Sequence, residues 1–252
     1  MTEAARRVLA ENLVWYHTIE LAPGVVTPGQ VDLRRVAPRV LPDEMSGLRA
    51  LDVGTFDGFW AFEMERRGAQ VVALDAPSLE SADWTPHARP RLERESRQLD
   101  VQLGRGFRLA SEHLGSAVER VTANVYDLEP EDVGEPFDFA FIGALLLHLR
   151  DPVRALERVH DVLRGGGELR VMEPFSLRML ISSPRSPAAR YRGGDTDMVW
   201  WLPNPAAIAA WIRTAGFTTP RRVAVVRSGG KRALRLWHTV HSADRPPAKG
   251  GG

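Results

Sequence analysis

The sequence contains no cysteine. Disulfides, thiolate metal sites and a cysteine nucleophile are therefore excluded. No uninterrupted apolar run is long enough to cross a bilayer, which argues against a membrane partner. The opening residues Met1-Thr2-Glu3-Ala4-Ala5-Arg6-Arg7 lead into no signal-peptide core, so a cytoplasmic location is expected. An excess of one charge is also missing: 33 Lys and Arg face 32 Asp and Glu, a formal net charge of +1. Such a chain has no global field to steer it onto nucleic acid. Arginines do gather at Arg34-Arg35, between Arg89 and Arg97, and at Arg221-Arg222, but runs of this kind are ordinarily solvated faces. No acids cluster at metal-ligand spacing, so no metal is expected, and nothing in the pattern sets an oligomeric state.

What the chain does have is 252 residues of 44% hydrophobic composition, enough for one α/β domain with additions. Residues 3–13 read as an amphipathic helix, and 31–40 as another. From Leu48 onward, buried strands alternate with helices. Strands are expected at 49–53, 70–74, 120–125, 137–142 and 168–172, and two more at 223–226 and 234–240. Helices are expected at 59–67, 91–100, 107–114, 152–163 and 205–214. The helix at 152 opens with the N-cap pair Asp151-Pro152 and is expected to end at Gly165-Gly166-Gly167. Residues 76–105 and 175–200 read as long insertions, the second irregular. The expected partition is an N-terminal helical lid over 1–47, a main domain over 48–244 and a disordered tail over 245–252. Such alternation builds a mostly parallel sheet covered by helices on both faces. Its ligand site lies beyond the carboxyl ends of the strands.

The segment Leu51-Asp52-Val53-Gly54-Thr55-Phe56-Asp57-Gly58 sits between a strand and a helix. Its glycines bring backbone N–H groups close to a ligand. It lacks the G-x-G-x-x-G spacing of a dinucleotide loop. A carboxylate two residues before the first glycine suits the cationic amino-acid end of S-adenosylmethionine better than a pyrophosphate. Asp75 ends the second strand, where it can accept from ribose hydroxyls. Asn124-Val125 ends the third, within reach of an adenine edge. Gly143 follows the fourth, leaving room for a methionine chain. Taken singly, Asp75 reads equally as a strand-end cap and Asn124 as a turn former. Together, in this order, they are informative.

Over roughly residues 48–240 the sequence resembles the class I S-adenosylmethionine-dependent methyltransferases, including the run from Phe137-Asp138 through His148-Leu149-Arg150-Asp151-Pro152 to Gly165-Gly166-Gly167. The resemblance implies a Rossmann-like, seven-stranded fold and cofactor contacts at Asp52, Gly54, Thr55, Phe56, Gly58, Asp75, Ala76, Asn124, Val125 and Gly143. Phe56 departs from the family, which has a glycine there. Within the class, three blocks resemble the group containing the tRNA wobble-uridine carboxymethyltransferases: His148 to Pro152, Tyr191 to Pro203 with Val199-Trp200-Trp201-Leu202-Pro203 before a helix ending in Gly216-Phe217, and the N-terminal lid around Trp15 and Val25-Val26-Thr27-Pro28-Gly29. That group holds an extra cofactor carboxylate with basic and tyrosine side chains. Here Leu147 and, on an ungapped reading, Asp197 stand at two of those places. A carboxylate left unpaired in a closed pocket is costly, so ordinary S-adenosylmethionine and simple methyl transfer are expected.

Three residues are candidates for catalysis: His148 just past the fourth strand, His17 in the lid, and Glu173 at the end of the fifth strand. Each has a structural alternative as a cap or core group. Trp15, Tyr16, Tyr191, Trp200 and Trp201 are candidates for an aromatic substrate wall, though paired tryptophans are more often plain core. A small organic acceptor, of specialised metabolism, is the leading expectation. Nucleic acid is disfavoured by the net charge. tRNA modification and cofactor binding without methyl transfer are the alternatives.

Overall fold

The structure is a computed structural model and describes residues 2–12, 14–195, 198–230 and 236–247. Asp197, Leu13, Leu234 and the tail beyond residue 247 lie outside the described residues.

Seven strands form the central sheet: β1 (Arg49–Val53), β2 (Gln70–Asp75), β3 (Glu119–Thr122), β4 (Phe137–Gly143), β5 (Leu163–Pro174), β6 (Arg221–Arg227) and β7 (Trp237–Asp244). Their spatial order is β6-β7-β5-β4-β1-β2-β3. Strands β1 to β5 run parallel, while β7 is antiparallel to both β5 and β6. The sheet order reverses between β4 and β1, which places a crevice over the carboxyl ends of these two strands.

Strand alternation sends side chains to two separate cores. Ala50, Val71, Ala73, Phe139 and Phe141 point to one face, with helices α1 (Thr2–Glu11), α2 (Phe59–Glu65) and, beyond α3 (Arg89–Gln98), α4 (Arg105–Leu114) packed against it. Leu51, Val53, Val72, Leu74 and Ile142 point to the other. There they meet α5 (Pro130–Val133), α6 (Pro152–Val162) and, after α7 (Leu177–Ser182), α8 (Pro205–Thr214). Asp151 caps α6 by accepting from Arg154 N at 3.0 Å, and Asn204 caps α8 by accepting from Ala207 N at 2.8 Å.

Several sequence expectations are corrected. Residues 31–40 are not a helix. Val31–Asp32 is a short strand paired with Gly229–Gly230, and Ala37–Arg39 is a 3-10 turn. The Asp32 carboxylate accepts from both the backbone N and the guanidinium of Arg34, a local closure that competes with helix formation. The glycines at 165–167 do not stop a helix. Strand β5 already begins at Leu163, and its register against β4 slips between Phe137 and Phe139. The described residues of the second insertion carry regular elements: α7 is followed by a hairpin pairing Ala189–Tyr191 with Trp201–Pro203. Arg245 does not begin a loose tail. Its backbone N donates to Gly167 O at 2.8 Å, and its guanidinium caps carbonyls of Asp161 and Leu163.

The N-terminal segment belongs to the first core. Ala5, Trp15, Ile19, Leu21, Val31 and Leu33 are buried together with residues of the sheet and of α2 and α4.

Candidate active site

The glycine loop after β1 turns sharply back on itself. Gly54 N and Thr55 N both donate to Leu74 O, at 2.9 and 3.2 Å. Gly54, Phe56 and Gly58 all have positive φ, at 78°, 53° and 92°. A phenylalanine in the left-handed region costs about 1–2 kcal/mol. Phe56 N donates to Asp75 Oδ2 at 3.1 Å, and its ring packs edge-on to Tyr16 with centroids 5.6 Å apart. Gly58 has no substitute: a Cβ there would sit 2.5 Å from the Phe62 ring and 2.8 Å from that of Phe107.

Three carboxyls ring this loop. Asp52 is 1% exposed, and its Oδ2 has no hydrogen-bond partner among the described residues; nor does the neighbouring Thr55 Oγ1. Burial pushes the Asp52 pKa up to about 7 against the lowering influence of Thr55 and His17. Asp75 accepts from Phe56 N and from Ala76 N at 3.0 Å and lies 3.7 Å from the Arg120 guanidinium. Burial raises it to about 6 although Arg120 opposes the shift. Glu173 is fully buried. Its Oε1 accepts from Leu145 N and Leu146 N at 2.8 and 2.7 Å, which fixes the loop after β4, while its Oε2 is unpartnered. Burial pushes its pKa to about 8.

These shifts set the pH dependence of stability. A carboxyl raised on folding stabilises the native state below its unfolded pKa and loses that contribution as pH rises through its folded value. His238 and His241, both buried and lowered to about 4, act oppositely, losing their contribution as pH falls below 6.5. The two sets offset each other between about pH 4.5 and 6.5. Of these five groups, Asp52 and Glu173 are the ones still titrating above that window, and their contribution to stability should fall by on the order of 2 kcal/mol between about pH 6.5 and 8.5. Thermal denaturation across that range tests it; a rising midpoint would show the carboxyls to be charge-compensated.

The remaining sequence candidates fall in three groups. The first is the roof over the carboxyl ends of the strands, where the two insertions meet. Trp200 Nε1 donates to Asp83 O, and Thr85 Oγ1 donates to Asp195 O at 3.4 Å. Asp83 also accepts from Tyr126 OH and Arg150 N at 2.9 and 2.7 Å, and Trp200 N donates to Leu147 O at 2.8 Å. Trp200 is buried under the Arg150 guanidinium, whereas Tyr191 is exposed and meets Trp201 edge-on at 5.5 Å. His148, half-buried in the turn after β4, donates from Nδ1 to Met198 O at 2.9 Å, and burial lowers its pKa.

The second group has local duties. Asn124 accepts from Tyr126 N at 3.0 Å and so caps its own turn, and Val125 is buried beside it. A Cβ on Gly143 would come within 2.9 Å of Trp60 Nε1, so that glycine is also required by packing. The third group is the N-terminal segment. Trp15 lies in the core against Gly106, while Tyr16 and His17 rest on Asp57.

Sequence reasoning missed Asp57, Asp83 and Arg120. Asp57 carried a signal, since an acid inside a glycine loop needs a partner. Asp83 stands in an insertion with no periodicity to place it.

The donor set fits S-adenosylmethionine. Asp52 offers an unpartnered buried carboxylate oxygen to an ammonium group, and each Asp75 oxygen keeps acceptor capacity for a ribose hydroxyl. When bound, this cofactor supplies an electrophilic methyl group on a sulfonium.

A methyltransferase-domain family model matches residues 29–220. The tRNA U34 carboxymethyltransferase of Pseudomonas aeruginosa is 34% identical over 192 residues, and that of Azotobacter vinelandii 32% over 213, covering 76% and 83% of this chain. The chain spans 50% and 57% of those relatives' lengths. Among solved structures, the N-terminal domain of EvdMO1 with S-adenosylhomocysteine and D-fucose aligns at TM-score 0.62 and 16% identity, covering 97% of this chain and 96% of that one. The 1,6-didemethyltoxoflavin-N1-methyltransferase of Burkholderia thailandensis aligns at 0.54 and 19%, covering 80% and 72%. With the sheet order, the glycine loop and the family match in agreement, the chain belongs to the methyltransferase-domain family and carries a class I S-adenosylmethionine-dependent methyltransferase domain.

Proposed function

We propose that the domain transfers the methyl group of ordinary S-adenosylmethionine to a small organic acceptor, in specialised metabolism. The observation that carries this reading is the roof. Both insertions are tied to each other and to the loop after β4 through Asp83, Trp200 and Leu147. A site so covered admits a compact molecule more easily than a folded nucleic acid, and exclusion of water favours methyl transfer. Positioning supplies most of the acceleration in such a displacement. Leu147 is buried where the carboxylated cofactor would need a phenol.

tRNA modification is the second reading. It draws on the curated relatives and on Arg178, Arg185 and Arg190, which are exposed on the second insertion without an ion pair among the described residues. One assay separates the two. The enzyme, given methyl-labelled S-adenosylmethionine, is offered a small-molecule extract and, separately, bulk tRNA. Label is expected in the small-molecule fraction. Label in tRNA, or tighter binding of the carboxylated cofactor in a competition titration, would overturn the proposal.

A further inference from the structure

The N-terminal segment meets the glycine loop through one carboxylate. Asp57 Oδ2 accepts from Tyr16 N at 2.9 Å and His17 N at 2.8 Å, while Asp57 Oδ1 faces His17 Nδ1 in a close pair. Both side chains are buried, at 2% and 8% exposure. Two aromatic rings pack on the imidazole. The Phe59 ring stacks on it at 5.6 Å and Tyr16 meets it edge-on at 4.6 Å. Its backbone is fixed as well: His17 O accepts from Thr27 Oγ1 at 2.6 Å, Thr18 N donates to Val31 O at 2.8 Å, and a Cβ on Gly29 would lie 2.2 Å from His17 C. A histidine that only anchored the segment would not need its ring fixed, because the two backbone N–H groups already hold Asp57.

A carboxylate at Nδ1 selects the tautomer with its proton on Nδ1 and leaves the Nε2 lone pair free. Asp52 on β1 is electrostatically coupled to His17, and Glu173 on β5 is coupled to the neighbouring Tyr16. A buried cation formed on this ring is therefore surrounded by acids.

Resting on the small-acceptor reading above, we infer that His17 is the general base of methyl transfer, that Asp57 is its positioning residue, and that the acceptor is a hydroxyl group. The acceptor oxygen bonds to the methyl carbon as the carbon–sulfur bond breaks and its electron pair goes to sulfur. The hydroxyl proton passes to Nε2. The positive charge lost at sulfur reappears on the imidazolium, beside Asp57. A hydroxyl requires such a base, because its methylated product would otherwise be an oxonium. An amine acceptor forms a stable ammonium and has no comparable need.

The test uses the full-length protein with S-adenosylhomocysteine and needs no knowledge of the acceptor. Nitrogen NMR of histidine-labelled protein should show His17 in the tautomer with its proton on Nδ1 and Nε2 bare. The conservative variant D57N should let the other tautomer appear. H17Q and D57N should bind S-adenosylhomocysteine within about threefold of the parent and melt cooperatively. In the extract assay both should lose turnover by about 10²–10⁴-fold. The carbon NMR shift of the transferred methyl group should be that of an O-methyl. A proton on Nε2, or cofactor affinity lost with His17, would overturn the assignment. An N-methyl product would overturn the acceptor class. Absence of any labelled product would count against the small-acceptor reading, and the NMR result would still decide the dyad.

Discussion

Deletion of residues 1–29 should leave no cooperatively folded domain. The segment removes Ala5, Trp15, Ile19 and Leu21 from the core that also holds Phe59, Phe62 and Phe107. Each large apolar side chain contributes about 1.5–3 kcal/mol by burial. The deletion also strips Asp57 of two backbone donors and an imidazole. A buried carboxylate left without partners costs about 3–5 kcal/mol more. The combined loss is comparable to the whole stability of an ordinary domain, about 5–15 kcal/mol. Packing thus favours an anchor over a free lid, even though the segment also carries His17 to the loop. Circular dichroism on heating decides the matter. A truncated protein that melts cooperatively and binds S-adenosylhomocysteine would restore the lid.

The parallel core was legible in the sequence where a strand carries local information, as at 49–53: a short apolar run, then Gly54, then the helix from Phe59. Asp151-Pro152 and Asn204-Pro205 announced helices that the structure starts within a residue of the expected place. The failures share a cause. Val31–Asp32 is a strand only because Gly229–Gly230, some two hundred residues away, lies beside it. Residues 189–191 and 201–203 form a hairpin too short to show a period. The placement of Asp52 and Asp75 beside the loop was readable because a strand's end fixes where its last side chains stand. Asn124 was not, since a side chain of its length can serve a ligand or its own turn, and here it reaches Tyr126 N. Asp57 announced the need for a partner, but not which partner. Its partners lie forty residues upstream, and no local pattern links Tyr16-His17 to that loop.

Replacing Asp52 by asparagine should move stability and cofactor affinity in opposite directions. The wild-type carboxyl is fully buried, has an unpartnered Oδ2 and ionises only near pH 7. Above that pH the native protein carries a charge that burial penalises and no neighbouring donor fully compensates. Asparagine keeps the size and shape and removes that charge, so the variant should melt no lower than the parent at about pH 8, and higher if nothing else shifts. The ammonium of S-adenosylmethionine is the group that would make the charge useful. Removing one partner of a buried ion pair costs about 3–5 kcal/mol, so affinity for S-adenosylhomocysteine should fall by about 10²–10³-fold. The same pairing predicts that wild-type affinity climbs as pH rises through 7, where Asp52 ionises, and that the variant's stays flat. Isothermal titration and thermal denaturation on one protein preparation suffice. If stability and affinity fell together, Asp52 would be a structural group whose environment the cofactor merely shares. If affinity held, the ammonium would have another partner, and the unpartnered oxygen beside Thr55 would belong to the fold.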